Sequence, residues 1–422
     1  MPDELQWLLW VLGGALITAM YFIFTHRRRT FELQLRPELL PDLDNGLTII
    51  AGLTRAALHS GNDAVVIQNG AFFDALEVDI RAARRTIHIE SFVWTRGGVE
   101  RHLVDLLCAQ ARRGVRVRVL IDAMGGNRAD PLQLSKLRAC GADVLVYCAP
   151  RFWNLRLLNH RTHRKIFVMD GQVGYTGGHG IADQWLGNGE DPSHWRDTAV
   201  RLEGPIVHAL QAVFMEHWIQ ESRCVPSGCG SFPLLAAKGS VRSHVVSDSV
   251  GDSLSSVAML YSLAIACARR EVIIQNPYFA PDFRICALFS TMIARGVEIH
   301  LMVPGNNTDS PFVRRAGCHL YASLLRAGVH VYEFEPTLLH QKVVIVDGVW
   351  AHVGSSNFDS RSLELNAEVG IGLLDRKVAS QLKSAFQDDL RRSRELTLET
   401  WRQRSSCARV LDWIAYQMHD QL

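Results

Sequence analysis

His163-Arg164-Lys165-Ile166-Phe167-Val168-Met169-Asp170 and His340-Gln341-Lys342-Val343-Val344-Ile345-Val346-Asp347 share one spacing, H-x-K-x4-D, in two distant parts of a 422-residue chain. The residues between lysine and aspartate are apolar in both copies, as in a strand buried on both faces. Side chains alternate along a strand, so His163 and Lys165 point to one side, as do His340 and Lys342. One imidazole and one ammonium per copy suit a phosphate site. Lysine brings a point charge and three donors, and a near-neutral histidine attacks phosphorus or shuttles a proton. A lone H-x-K is an ordinary basic surface strand. Two copies with identical spacing, inside a larger repeat, are not.

The repeat extends around both motifs. Ala83 to Phe92 and Ala268 to Pro277 each read as a helix end followed by a buried strand. Ala111 to Leu120 and Ile293 to Met302 read as a helix closing into a second strand, with Gly114 and Gly296 where a helix C-terminus favours glycine. Helices alternating with short β-branched strands predict an α/β fold, a mixed sheet covered by helices in each half. The expected layout is 1–30 as an anchor with a basic flank, 45–224 as the first half, 225–240 as a Pro/Gly-rich linker, 241–400 as the second half and 401–422 as a C-terminal helix.

These residues resemble the paired H-x-K-x4-D motifs of the phospholipase D superfamily. Asn159 to Lys165, Gly177-Gly178-His179-Gly180-Ile181-Ala182-Asp183, His194-Trp195-Arg196-Asp197, Pro277 to Asp282 and Gly354-Ser355-Ser356-Asn357-Phe358-Asp359 followed by Arg361-Ser362 look like the bacterial cardiolipin synthases within it. The resemblance spans almost everything after residue 30. It implies a duplicated phospholipase D-type domain, two mixed-sheet halves around one shared active site. It also implies a ping-pong transfer: one histidine attacks the phosphodiester to give a phosphohistidine, and the other protonates the leaving alcohol and then deprotonates the incoming one. His163 and His340 take these roles; the family favours the N-terminal histidine as nucleophile, while two equivalent halves leave the assignment open. Lys165 and Lys342 hold the non-bridging oxygens.

Aligning the halves places Asp197 opposite Glu368, each a candidate to orient a catalytic imidazole. Asp170 and Asp347 complete the catalytic motifs but fall on the far side by alternation, and are read as turn-fixing. Ser355, Ser356 and Asn357 offer substrate-binding donors. The first half has Gly177-Gly178-His179-Gly180 there, with glycine where the superfamily usually has asparagine.

A net charge of +2 is too mild for a nucleic-acid coat. Nine cysteines without a paired ligand set read as reduced structural thiols rather than zinc ligands, and lysine beside His160, His163, His179 and His194 argues against a cation; neither metal nor cofactor is expected. Leu5 to Phe24 is 20 residues without a charge, long enough to span a bilayer, and Arg27-Arg28-Arg29 follow it. The positive-inside rule then predicts a single-pass protein of the inner membrane with its catalytic part in the cytoplasm. The segment holding Arg151, Arg156, Arg161 and Arg164 interleaves aromatic and leucine residues, which suits a lipid entrance better than a nucleic-acid stripe. Val410, Leu411, Ile414 and Met418 share one face of a C-terminal helix, with Trp413 and Tyr416 nearby, and that helix is expected to dock on the catalytic domain.

The functional expectation is a cardiolipin synthase moving a phosphatidyl group onto phosphatidylglycerol, with phosphatidylglycerol and phosphatidylethanolamine both open as donors. The alternatives are a phospholipase D hydrolase, in which water is the acceptor, a nuclease, and a catalytically dead membrane scaffold. Phospholipids and the membrane are the expected partners, nucleic acid is not.

Overall fold

The computed structural model describes residues 6, 7, 10, 11, 13, 14, 35–149, 160–226, 230–249 and 254–418. The expected spanning segment, Leu5 to Phe24, therefore lies largely outside the described residues, as do Arg151, Arg156 and the aromatic residues between them. Among the described residues no helix is long and apolar enough to cross a membrane.

The strands of the first half are β1 (His59–Gln68), β2 (Thr86–Ser91), β3 (Arg116–Asp122), β4 (Asp143–Tyr147), β5 (Ile166–Met169), β6 (Val173–Gly177) and β7 (Thr198–Glu203). Those of the second are β8 (Val241–Asp248), β9 (Glu271–Gln275), β10 (Phe279–Ala280), β11 (Glu298–Pro304), β12 (His330–Phe334), β13 (Val343–Val346), β14 (Trp350–Gly354), β15 (Phe358–Asp359), β16 (Glu368–Leu374) and β17 (Ser393–Leu396). Among the described residues fifteen of them form one sheet, ordered β17-β12-β11-β9-β13-β14-β16-β8-β1-β7-β6-β5-β2-β3-β4, and β10 pairs with β15 apart from it. Outward from the β8–β1 junction, β8-β16-β14-β13-β9-β11-β12 matches β1-β7-β6-β5-β2-β3-β4 strand for strand. The expectation was a mixed sheet in each of two halves. The two half-sheets join edge to edge, β1 antiparallel to β8, where the Asn62 side-chain amide donates to Ser243 Oγ at 2.9 Å and to the Val241 carbonyl at 3.2 Å. Pairing these two edges also removes the hazard of an open strand in each half.

Three buried apolar layers follow from strand alternation. In β5, Phe167 and Met169 pack outward with helices α2 (Ala71–Ala82), α3 (Gly98–Arg112) and α4 (Pro131–Ala139). Val344 and Val346 of β13 likewise pack on α6 (Ser256–Ala266), α7 (Phe283–Ala294) and α8 (Pro311–Ala327), while α1 (Leu43–Leu53) adds Leu43 and Leu47 to that layer. Ile166, Val168, Val343 and Ile345 turn the other way into a shared central core, which contains Phe214 of α5 (Ile206–Ser222) and Phe386 of α10 (Arg376–Leu390). Both motif strands are therefore buried on both faces. Gly114 and Gly296 close α3 and α7 at φ 88° and 86°, left-handed values that glycine adopts without a Cβ penalty.

Two expectations need correction. Cys108 of α3 and Cys140 just after α4 form a disulfide, with Cα atoms 5.3 Å apart; 32 residues separate them in the chain, and the packing of their helices brings them together. Helix α12 (Ser406–Gln417), which follows α9 (Ser360–Glu364) and α11 (Leu398–Arg402), does dock on α8, but through the wrong face for a hydrophobic stripe. Asp412 and Ala415 are buried, Asp412 paired with Arg404 and Arg315, whereas Val410, Leu411, Trp413, Ile414 and Met418 are 46–54% exposed. A buried carboxylate with two guanidinium partners thus sets the helix's rotation.

Candidate active site

The loops preceding β5 and β13 bring the motif histidines to the seam between the halves. The Thr162 segment bridges to Ala367, and the Leu339 segment bridges to Arg196. The His163 N–H donates to the Ala367 carbonyl at 2.8 Å, and the His340 N–H to the Arg196 carbonyl at 2.8 Å. Each histidine backbone is thereby fixed on the residue preceding the acidic position of the opposite half.

The side chains complete this exchange. His163 Nδ1 lies 3.1 and 3.2 Å from the two oxygens of Glu368, and His340 Nδ1 lies 2.7 Å from Asp197 Oδ2. Burial alone pushes both carboxyls up, but His163, Lys165 and Ser355 around Glu368, and His179, His340 and Lys342 around Asp197, outweigh it and hold both below the usual carboxylate range. Both are therefore ionised acceptors, so each Nδ1 carries a proton and donates it. Burial, and then the neighbouring lysines, push both imidazoles well below the ordinary histidine value against the pull of the carboxylates. A neutral ring with its proton on Nδ1 keeps its lone pair on Nε2, the atom a phosphorus electrophile needs.

Lys165 and Lys342 are fully buried beside the rings. Lys165 Nζ donates to the His163 carbonyl at 2.7 Å and sits 5.5 Å from the Phe92 ring centroid. Lys342 Nζ reaches the His340 carbonyl and lies 3.1 Å from Nε2 of the same ring. Burial and the opposing ammonium depress Lys165 to about 7, and burial depresses Lys342 to about 8. The two ammonium groups face two ionised carboxylates whose oxygens are already engaged by the imidazoles, so the lysine donors are what an incoming phosphodiester would meet.

Asp170 and Asp347 sit at the other ends of their strands. The Asp170 carboxylate accepts from the amides of Arg84, Arg85 and Thr86 at 2.8, 2.7 and 2.8 Å. Asp347 accepts from Arg269, Arg270 and Glu271 at 2.8, 2.7 and 3.0 Å. Both have φ 55°, so each carboxylate pins a left-handed turn to the start of β2 or β9.

Of the three substrate-binding candidates, Ser355 is already committed: its hydroxyl donates to Glu368 and accepts the Val369 N–H at 3.0 Å. Ser356 Oγ and Asn357 Oδ1 are buried without a hydrogen-bond partner among the described residues. In the first half the same job is done differently. The Trp185 indole N–H donates to Asp197 Oδ2 at 2.8 Å, its ring occupies the space beside Gly180, and a Cβ on Gly178 would stand 2.3 Å from Asp197 Oδ1. The shorter aspartate reaches His340 only because residue 178 has no side chain. Trp185 and Trp195 pack on His340 at 5.3 and 5.2 Å, and Phe92 on His163 at 5.0 Å. Sequence reasoning missed Trp185 and Phe92; Trp195 lay inside a quoted motif.

The other histidines of the first-half motifs are separately engaged, His194 Nδ1 by Asp191 Oδ2 at 2.9 Å. His160 Nδ1 faces the Leu365 carbonyl at 3.2 Å and His179 Nε2 the Asn69 carbonyl at 3.0 Å. Among the described residues the metal-like grouping is Glu190, Asp191 and His194, half-buried to exposed.

Known proteins resemble this chain in both sequence and fold. The family described as cardiolipin synthase, PLD-like domain, matches residues 76–218 and 262–390. The major cardiolipin synthase ClsA of Bacillus subtilis is 33% identical over 367 residues, 85% of this chain and 75% of that protein. Cardiolipin synthase A of Pseudomonas putida is 34% identical over 349 residues, 82% of this chain and 72% of that one. In fold, the chain is similar to the crystal structure of phosphatidylserine synthase from Haemophilus influenzae, with a TM-score of 0.64 at 14% identity over 88% of this chain and 98% of that one. With both halves matched and the relatives aligned through most of its length, the chain belongs to the cardiolipin synthase family of PLD-like-domain proteins.

Proposed function

We propose that this chain is a cardiolipin synthase, a phosphatidyltransferase that passes a phosphatidyl group to phosphatidylglycerol through a phosphohistidine and releases the donor's head-group alcohol. The observation that carries the reading is the crossed pair of buried dyads, His163–Glu368 and His340–Asp197, around two buried lysines. His163 Nε2 forms a bond to phosphorus as the P–O bond to the leaving alcohol breaks, and His340, protonated once the anionic substrate is in place, gives its Nε2 proton to that oxygen. In the second step His340 Nε2 takes the proton of the acceptor hydroxyl as its oxygen attacks, and the P–N bond breaks. Each dyad needs only to hold its ring and stabilise the positive charge that the ring acquires. Lys165 and Lys342 neutralise the equatorial oxygens in both transition states.

Residues 1–30 act as a single membrane anchor in this reading, with the catalytic part on the cytoplasmic side, and the matching half-sheets are the product of a duplication that leaves one shared site. The test is incubation of the purified chain with phosphatidylglycerol and mass spectrometry of the products. Cardiolipin with stoichiometric glycerol, abolished in His163→Ala, is expected; phosphatidic acid alone would make the chain a hydrolase.

A further inference from the structure

A cavity of about 540 Å³ opens in the second half between α6, α7 and α9, bounded on one side by Leu35 and Pro37. Its wall carries the apolar Ala258 and Met259 from α6, Leu288 from α7 and Leu363 from α9, together with polar residues such as Ser262 and Thr291. The volume falls within the roughly 300–1,000 Å³ usual for small-molecule sites. Two features fix where it stands. Its lining includes Asp359 and Ser360, which follow Ser355-Ser356-Asn357 beside Glu368 with Phe358 between them. At no more than about 3.6 Å per residue, Asn357 and Ser360 are within roughly 11 Å. At the rim, Phe283 is 72% exposed.

We infer that this cavity receives one long acyl chain of a phospholipid whose phosphodiester lies on Lys165 and Lys342. The aliphatic part of the wall suits a hydrocarbon tail continuous with a charged head: the tail removes apolar surface from water while the phosphate stays at the lysines. Asp359 and Ser360 sit where the tail's ester linkage to the glycerol backbone passes. The inference rests on the synthase reading for the identity of the lipid, but not for the existence of the cavity.

The test uses the full-length chain and two variants that fill the space from opposite walls, Ala258→Trp and Ala287→Trp, neither of which touches the histidines, lysines or carboxylates. Binding of a dansyl-labelled long-chain fatty acid is followed by fluorescence, and turnover is compared on dihexanoyl and dioleoyl phosphatidylglycerol. We expect the probe to bind the parent and be displaced by dioleoyl lipid, both variants to lose probe binding at least tenfold, and kcat/KM to fall at least tenfold on the long-chain lipid but less than threefold on the short one. Unchanged probe binding in both variants, or equal losses on the two lipids, would overturn the proposal; equal losses would indicate that the chain's own N-terminal segment fills the space. Absence of turnover in the parent would sink the synthase reading alone, because the binding measurement still decides the cavity.

Discussion

Glu368 holds Nδ1 of His163 at 3.1 Å although the two residues stand 205 positions apart in the chain. The reciprocal bond, His340 to Asp197 at 2.7 Å, spans 143 positions. Neither half contains a complete dyad, so the site exists only when β1 and β8 have joined the two half-sheets. The two matching half-sheets are thus tied at one cluster of histidines, lysines and carboxylates, because each carboxylate is given to the other half.

The exchange predicts which substitutions act together. Glu368→Gln removes the negative charge and lets an amide N–H face His163 Nδ1 in place of an obligate acceptor, so the tautomer is no longer fixed, and it is expected to lower kcat by roughly 10²- to 10⁴-fold, the range that positioned acid–base groups contribute. Added to His163→Ala, it should cost nothing further, because both changes disable the same ring. Steady-state kinetics of the two single variants and the double variant check this. Pairing of the carboxylate with its neighbour in sequence instead would leave Glu368→Gln additive with His163→Ala.

Much of this was legible in the sequence, and what was not has a physical cause. The four-residue apolar runs after Lys165 and Lys342 announced strands buried on both faces, and the glycines after two helices announced left-handed caps. Asp197 and Glu368 stood out because the repeat could be aligned on the motifs. Which histidine each serves could not be read, because partner choice is set by seam bridges such as Thr162 to Ala367, between segments far apart in the chain. The orientation of α12 was hidden for a related reason. Its apolar stripe is plain in the sequence, but the pairing of Asp412 with Arg315 and Arg404 is tertiary, and it overrides the stripe. Ser355 read as a phosphate donor because the bond it makes to Glu368 is invisible until β16 is placed beside it.

Gly178 gives a sharper test of the first-half geometry. A methyl group there would lie 2.3 Å from Asp197 Oδ1, so Gly178→Ala must displace the carboxylate that holds His340. Turnover is expected to fall at least about 100-fold, as for loss of a positioned base. The expected midpoint shift on unfolding is small beside that loss. Crystal structures or NMR of the His340 ring in the variant would show Nδ1 separated from Asp197; an unmoved carboxylate with full activity would refute the close-packing argument.

The lysines are expected to set the alkaline side of the pH profile. Both ammonium groups are lowered from their ordinary value by burial, Lys165 to about 7 and Lys342 to about 8, so the free site loses positive charge as pH rises through that window. Substrate capture, read as kcat/KM, is therefore expected to decline from about pH 7 to about pH 8 upward. A bound phosphodiester favours the charged lysines, so the alkaline limb of kcat should lie higher than that of kcat/KM. Initial-rate measurements across pH 6 to 10 in one detergent system check the separation, and coincident limbs would mean that the lysines are not what titrates.

Asp170 and Asp347 belong to the motifs by spacing but are placed to hold turns. Each carboxylate accepts three backbone amides at 2.7–3.0 Å, bonds to a charged acceptor that carry more weight than neutral ones. Asp170→Ala leaves the amides of Arg84, Arg85 and Thr86 without that acceptor, and the left-handed φ of 55° without its anchor. Partial exposure lets water replace some of the loss, so we expect a destabilisation of about 2–4 kcal/mol, read from the denaturant midpoint. Activity of the folded fraction at low temperature should stay within a factor of about three, because the carboxylate faces the start of β2 rather than the imidazoles. A variant that keeps its midpoint but loses turnover would place Asp170 in the chemistry and remove the structural reading of both aspartates.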